Sequence, residues 1–332
     1  MAASAILAAA IDPLADAVAQ RLPGAVLGLV TESGDRAVHV VGDAQREPER
    51  VAMRRGTWFD LASLTKVLFT TPIILRLADQ GRITLDDPLA SVIPDLRQYD
   101  LGALERRLTF RQCLAHQTHL PAVEPLYTYG QDQVTLRAFI LQRAWTAGPA
   151  VYSDINFILL GIAIERLTGH PLGEQIVPDG FSFHPDPAVC AATERCTWRG
   201  RVLRGEVHDE NAFALGGAAG HAGLFATIDG VLDAALELLG GSEPALAAIR
   251  TRHSPTRTLG WEARHAGWSG GDACSEATIG HTGFTGTGLW IDFNRGVAWA
   301  LLTNRVHPTR HRDSGIHALR RRVGELLAGA CR

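Results

Sequence analysis

The chain has 332 residues, 46 % of them hydrophobic and 20 % charged, with a formal net charge of −3. This composition supports a large buried core in one domain or two lobes and excludes an intrinsically disordered chain. The near-balanced charge gives no electrostatic reason for nucleic acid or an anionic membrane surface as partner, so a small-molecule or peptide substrate is expected. Five scattered cysteines, Cys113, Cys190, Cys196, Cys274 and Cys331, include no Cys-x-x-Cys pair. Neither a disulfide framework nor a four-thiolate zinc site is indicated, and reduced thiols are expected.

In chain order, "MAASAILAAAIDPLADAVAQRL" lacks a basic start, and Asp12 and Asp16 interrupt its apolar run. It predicts an amphipathic surface helix rather than a signal or a membrane span. No other stretch is long and uncharged enough to cross a bilayer, so a cytoplasmic protein is expected, or a periplasmic one if a leader was removed. "GAVLGLVTESG" and "RAVHVVGDA", separated by Ser33-Gly34-Asp35, predict an antiparallel hairpin. Helical periodicity then runs through Leu64 to Ala78 and residues 109–118, 135–144 and 155–169. Residues 171–206 read as irregular connecting structure. Helix returns at 227–239, with Thr227 or Asp229 as cap. Three strand-like runs, "ATIGHTGFTG", "GTGLWIDFNRG" and "VAWALLTNRV", precede a final helix over roughly 311–329. Strands at both ends with helices between them imply an α/β fold in which one antiparallel sheet is assembled from the two termini and a helical lobe is inserted. The expected division is a sheet lobe over 1–58 and 207–332 and a mainly helical lobe over 59–206.

Three stretches carry chemistry. "FDLASLTKVLFT" places Ser63 and Lys66 one helical turn apart. A serine at a helix start has backbone N–H groups nearby to hold an oxyanion, and a buried lysine with a lowered pKa can take the serine proton. The plain alternative is an N-cap and a solvated lysine. "PAVYSDINFILLG" sets Tyr152 in a loop before an apolar helix; near a lysine cation its phenol is held closer to phenolate and can act as general base and then acid. Alone, it reads as a core tyrosine. "IGHTGFTG" puts His281, Thr282 and Gly283 on an edge strand, with the Phe284 N–H joining that of Ser63 as a second oxyanion donor. His281 can donate to a substrate carbonyl or carboxylate, or support Tyr152, and its titration predicts activity that changes between pH 5 and 8.

Together and in this order, these stretches resemble the S-x-x-K, Y-x-N and K-T-G motifs of the serine β-lactamase and penicillin-binding-protein superfamily. The resemblance extends from about residue 20 to 325 and implies a serine β-lactamase-like fold and acyl-enzyme hydrolysis by Ser63, Lys66, Tyr152 and His281. It implies substrate or oxyanion contacts from Asp154, Thr282, Gly283, Phe284 and His208. Asp154 stands where many members have Asn, and His281 where β-lactamases and transpeptidases have Lys; both departures argue against efficient β-lactamase action. Residues 190–227, "CAATERCTWRGRVLRGEVHDENAFALGGAAGHAGLFAT", closely resemble the corresponding region of members acting on peptidoglycan fragments. These are the penicillin-binding protein 4B type of D-alanyl-D-alanine carboxypeptidase and the N-acetylmuramyl-L-alanine amidases.

In this stretch His208, Asp209, Glu210, Asn211 and His221 are expected either to line the cleft or to brace a turn network around Gly216, Gly217 and Gly220 to Gly223. Their spacing is no standard metal-ligand pattern, and neither metal nor cofactor is expected. A rival nucleophile exists in "GWSGG", where Ser269 is followed by Asp292 and His307 in α/β-hydrolase order. No helical period follows Ser269 and too little chain remains for a parallel sheet, so a surface turn is expected there.

The expected function is hydrolysis of a peptidoglycan-derived amide, as a muropeptide amidase or a carboxypeptidase. A promiscuous short-chain esterase and a catalytically silent binding protein are the alternatives.

Overall fold

The computed structural model describes residues 2–241 and 244–331, without the side chains of 244–246. Among the described residues seven strands form the main sheet: β1 (Gly24–Thr31), β2 (Arg36–Gln45), β3 (Val51–Ala52), β4 (Glu262–Ala263), β5 (Thr278–Thr282), β6 (Gly288–Asp292) and β7 (Val297–Thr303). Their order is β3-β2-β1-β7-β6-β5-β4, with every neighbouring pair antiparallel. The first and last long strands therefore meet at the centre, with Leu29 opposite Trp299. The expected hairpin and the three C-terminal strands are all present.

β1 and β7 are buried along their whole lengths because both sheet faces are covered. On one face Leu27, Leu29, Trp299 and Leu301 pack with residues of the two terminal regions, including Leu14, Val18, Val323 and Leu327. The N-terminal segment is two helices, Ala3–Ala8 and Ile11–Gln20, rather than one. On the other face Val26, Val30, Ala300 and Leu302 join a larger core that continues into the helical region. Gly28 lets the helix Ile228–Gly240 lie directly on the sheet, since a Cβ there would come within 2.9 Å of Ile228 and Leu232. Thr227 caps that helix by accepting the Gly230 N–H.

Two further local expectations change. The stretch expected to be irregular contains a β-hairpin, Ala192–Cys196 with Arg201–Arg204, bulged between Ala192 and Arg195. The helix after Ser63 contains a π-helical turn, Lys66–Thr70, before it continues as α-helix over Thr71–Asp79. The Thr71 hydroxyl donates to the Lys66 carbonyl at 2.7 Å and the Thr70 hydroxyl to the Gly220 carbonyl at 2.6 Å, which accommodates this widened turn. All five cysteines are unpaired.

Candidate active site

Ser63 follows a tightly pinned turn. Ala62 has φ 48°, a left-handed conformation that is costly for a residue with a Cβ. The buried Asp60 holds the turn by accepting the Ala62 N–H at 2.8 Å and the His208 N–H at 2.6 Å. The loop after β5 clamps it from the far side: Thr285 and Thr287 hydroxyls donate to the carbonyls of Asp60 (2.7 Å) and Leu61 (3.0 Å). Gly283 permits this approach, because a Cβ would fall 2.4 Å from the Leu61 carbonyl oxygen and 2.1 Å from Thr287 Oγ1. The clamp brings Phe284 beside Ser63 at one cavity. Among the described residues neither the Ser63 nor the Phe284 N–H donates to a protein acceptor, leaving both for an oxyanion.

The Lys66 ammonium is wholly buried and fully engaged. It donates to Ser63 Oγ and to the His221 carbonyl, each at 3.0 Å, and lies 2.8 Å from Asp154 Oδ1. Burial is the largest influence and would lower its pKa, but the charges and hydrogen bonds of Asp154 and Tyr152 outweigh it, so the value is raised. Instead of the lowering expected of a lysine base, the pairing with Asp154 holds Lys66 toward its charged form. Asp154 was expected to face substrate; its carboxylate instead meets the lysine.

Tyr152 lies against Lys66, the ammonium being 5.1 Å from the ring centroid. Burial raises the phenol's pKa, and the opposing pull of Lys66 does not overcome it. The expectation of a near-phenolate is thus also corrected. His281 and His116 pack near the same ring, with centroids 5.8 and 4.5 Å away. His281 Nδ1 is 3.0 Å from the Thr282 carbonyl oxygen. A carbonyl only accepts, so Nδ1 carries the proton and Nε2 presents a lone pair. Burial, then Arg257 and Lys66, pull this imidazole's pKa well below 6.5. His281 accordingly lines the cavity with Nε2 as an acceptor, not the expected donor. His116, in the stretch "CLAHQT" read only as helix, was missed; as a lone histidine at the end of a short apolar helix it gave no motif.

The cavity measures about 370 Å³ and is lined by Ser63, Tyr152, His281, Thr282, Gly283 and Phe284 together with Arg257, Arg305, Arg320, His317 and Glu262. Arg320 is buried and donates to the Gly283 and Thr287 carbonyls at 2.8 and 2.6 Å, yet its Nε has no partner. Burial, with Arg305 adding, pulls its pKa down to about 9. Arg305 donates to the Phe284 carbonyl at 2.7 Å. Three guanidiniums against one carboxylate make the cavity attractive to anions. A second cavity of about 210 Å³, lined by Leu68, Leu75, Phe181, Leu238 and Trp261 among others, is mainly apolar and touches none of these catalytic candidates.

His208, expected at the substrate, does not line the Ser63 cavity. It is buried, 3.2 Å from Glu194, with its ring stacked on Phe284 at 5.6 Å. Asp209 caps the helix Glu210–Ala214 and lies 3.0 Å from His221; burial opposes its ionisation, but His221 and the capping bond hold it well below the usual carboxylate range. Glu210 pairs with Arg310, and Asn211 bridges the Tyr127 N–H and the Glu124 carbonyl. The group thus braces the cleft wall. Among the described residues no set of three or more His, Cys, Asp or Glu side chains is placed to hold a metal ion, and no helix is long and apolar enough to cross a membrane.

The rival serine lies in a turn, where Ser269 Oγ accepts the Trp290 indole N–H at 3.2 Å. Asp292 binds Ser275 and Arg295, while His307 accepts the Arg46 N–H at 2.9 Å. No triad assembles.

A serine at the head of a helix, contacted by a buried lysine and set beside an antiparallel sheet, is an arrangement suited to a serine hydrolase. The Beta-lactamase family model matches residues 7–323, and the chain belongs to that family. It is 31% identical to an N-acetylmuramyl-L-alanine amidase of Bacillus subtilis (strain 168), over 87% of this chain and 79% of the relative. It is 29% identical to a putative D-alanyl-D-alanine carboxypeptidase of Escherichia coli (strain K12), over 76% and 70%. In fold it is similar to a beta-lactamase from Sulfitobacter sp. EE-36, with a TM-score of 0.74, 20% identity and 99% of both chains covered. Family and relatives alike make it a serine hydrolase.

Proposed function

We propose that the protein hydrolyses an amide bond in a peptidoglycan-derived peptide through an acyl-enzyme on Ser63, as a muropeptide amidase. The observation that carries the chemistry is Ser63 Oγ 3.0 Å from a fully buried lysine that is itself ion-paired. The substrate class is supported by the similarity to the amidase, which spans most of both chains.

In the mechanism Ser63 Oγ attacks the carbonyl while its proton passes to Tyr152 Oη, and the Tyr152 proton passes to the leaving nitrogen. The tyrosine stays neutral overall, as its raised pKa favours. Lys66 remains protonated and stabilises negative charge developing on Oγ and Oη. The Ser63 and Phe284 N–H groups hold the oxyanion. Water then attacks the ester by the same route in reverse, releasing the acid and restoring Ser63.

The cationic cavity favours one second reading, a carboxypeptidase whose substrate carries a terminal carboxylate beside the scissile bond. Incubation of the protein and of Ser63→Ala with a muropeptide mixture, with products identified by mass, tests both. Release of free peptide from the muramyl group, absent in the variant, is expected. Loss of a terminal alanine instead would establish the carboxypeptidase. Turnover of p-nitrophenyl esters alone would identify an esterase, and no Ser63 adduct with any substrate would overturn the hydrolytic reading of this serine.

A further inference from the structure

His116 lies just beyond the helix Phe110–Leu114, with φ 54°. A left-handed non-glycine residue is costly and persists only where its surroundings hold it. Here the surroundings are the loop of Tyr152. His116 Nδ1 accepts the Ser153 N–H at 3.0 Å and lies 3.4 Å from Asn156 Nδ2. Asn156 is oriented in turn by the Thr118 hydroxyl, which donates to its Oδ1 at 2.8 Å. With N–H groups directed at it, Nδ1 must present a lone pair, which places the proton of the neutral ring on Nε2.

The same ring lies 4.5 Å from Tyr152, inclined by 36°, and 5.1 Å from Phe157. His116 thus grips the residue after the tyrosine through its backbone and the tyrosine itself through its ring. Two further bonds tie the segments together: Ser153 Oγ donates to the Pro121 carbonyl at 2.6 Å, and the Asp154 N–H to the Ala122 carbonyl at 2.9 Å. Those bonds fix the backbone, whereas His116 alone among these contacts also bears on the phenol ring. Its Nε2 is buried without a partner among the described residues. A phenyl ring could pack in the same place but could not accept the Ser153 N–H.

We propose that His116 is a positioning residue for the reaction: it sets the orientation of Tyr152 between Ser63 and the leaving group by clamping the Ser153 N–H and the phenol ring together. The inference rests on the proton-shuttling role given to Tyr152. Protonation of His116 would set a donor against the Ser153 N–H and break the clamp. Burial, and then the positive groups Arg257 and Lys66, oppose that protonation.

The test compares Tyr152→Phe, His116→Asn and His116→Phe. Rates are expressed per acylatable site by mass-spectrometric titration of Ser63, so unfolded molecules do not count. His116→Phe keeps a ring and loses the acceptor; His116→Asn keeps an acceptor and loses most of the ring. The expected result is a kcat lowered about 10²-fold in His116→Phe, the scale of a misplaced reacting group. KM should stay within about threefold, and His116→Asn should recover part of the loss. His116→Phe with the kcat of the natural protein would overturn the proposal. So would His116→Asn performing worse than His116→Phe, since a packing role alone needs only the ring. An active Tyr152→Phe would instead remove the role of the tyrosine itself, a failure distinct from either.

Discussion

Replacing Asp154 by Asn removes the counter-charge from an ammonium that has no contact with water. The two side chains are 0% and 20% exposed and 2.8 Å apart. At an effective dielectric constant of ~20, unit charges at that distance attract by about 6 kcal/mol, part of which offsets the cost of burying them. Asparagine has nearly the same shape, so the packing survives while this attraction does not. Desolvation, already the largest single influence on Lys66, then acts against a weaker opponent. The lysine pKa falls from its raised position. Because the folded-state value in the natural protein is raised, the pair stabilises the fold below the lysine's unfolded pKa and fades only as pH climbs through the folded one. The assay is kcat/KM between pH 6 and 10 on an activated ester. Asp154→Asn should be slower by about 10²–10³-fold at the alkaline end, the scale of losing an electrostatic contact to the transition state. It should recover toward lower pH, where Lys66 regains its proton. An unchanged profile would show that Asp154 does not govern the lysine. A variant faster than the natural protein near neutrality would refute the cationic role and make neutral Lys66 the base.

Further outcomes follow from other parts of the site. Ser269→Ala should retain full activity and Ser63→Ala should lose the acyl adduct, checked by mass after incubation with substrate; the reverse would revive the rival serine. His116 and His281 are both held well below pH 6.5 by burial, so they are neutral when folded and protonate on unfolding. Their contribution is complete above the unfolded value and is lost as pH falls below it, by up to about 1.4 kcal/mol per pH unit for each histidine. Urea midpoints measured from pH 8 down to 5 should therefore fall, and His281→Gln should flatten the slope; equal slopes would contradict the placement. For activity, His281 should impose no limb between pH 6.5 and 8, which narrows the earlier expectation of a histidine-driven change from pH 5 to 8. Arg257→Gln should raise KM for substrates carrying a carboxylate while sparing neutral esters, and equal effects on both would remove the anionic preference.

Much of the fold was legible because its signals are local. Alternating or continuous apolar runs marked β1 and the last three strands, and Thr227 before "IDGVLDAALELL" marked a helix start. The hairpin at 192–204 escaped because arginines and glutamate in "ATERC" and "RVLR" dilute its apolar pattern and a bulge breaks the alternation. The π turn escaped because a single widened turn scarcely alters the helical spacing of "KVLFT". In the site, Ser63, Lys66, Tyr152 and His281 were readable as residue types, and the structure brings them to one place. Their protonation was not readable. It depends on Asp154 reaching Lys66 across 88 positions of chain, and on the backbone carbonyl that fixes the His281 tautomer.

The central pairing of β1 with β7 carries a consequence for synthesis on the ribosome. Some 270 residues separate Leu29 from its partner Trp299, and the loop that clamps the Ser63 turn belongs to the same late stretch through Thr285 and Thr287. A nascent chain can coil its middle helices early, but the nucleophile acquires its clamp only once nearly nine-tenths of the polypeptide has been made. Closing so long a loop is slow, and until then the hydrogen-bonding edge of β1 has no C-terminal strand to pair with. Dependence on chaperones should peak late in translation, and catalytic competence should appear abruptly near its end rather than build up with chain length.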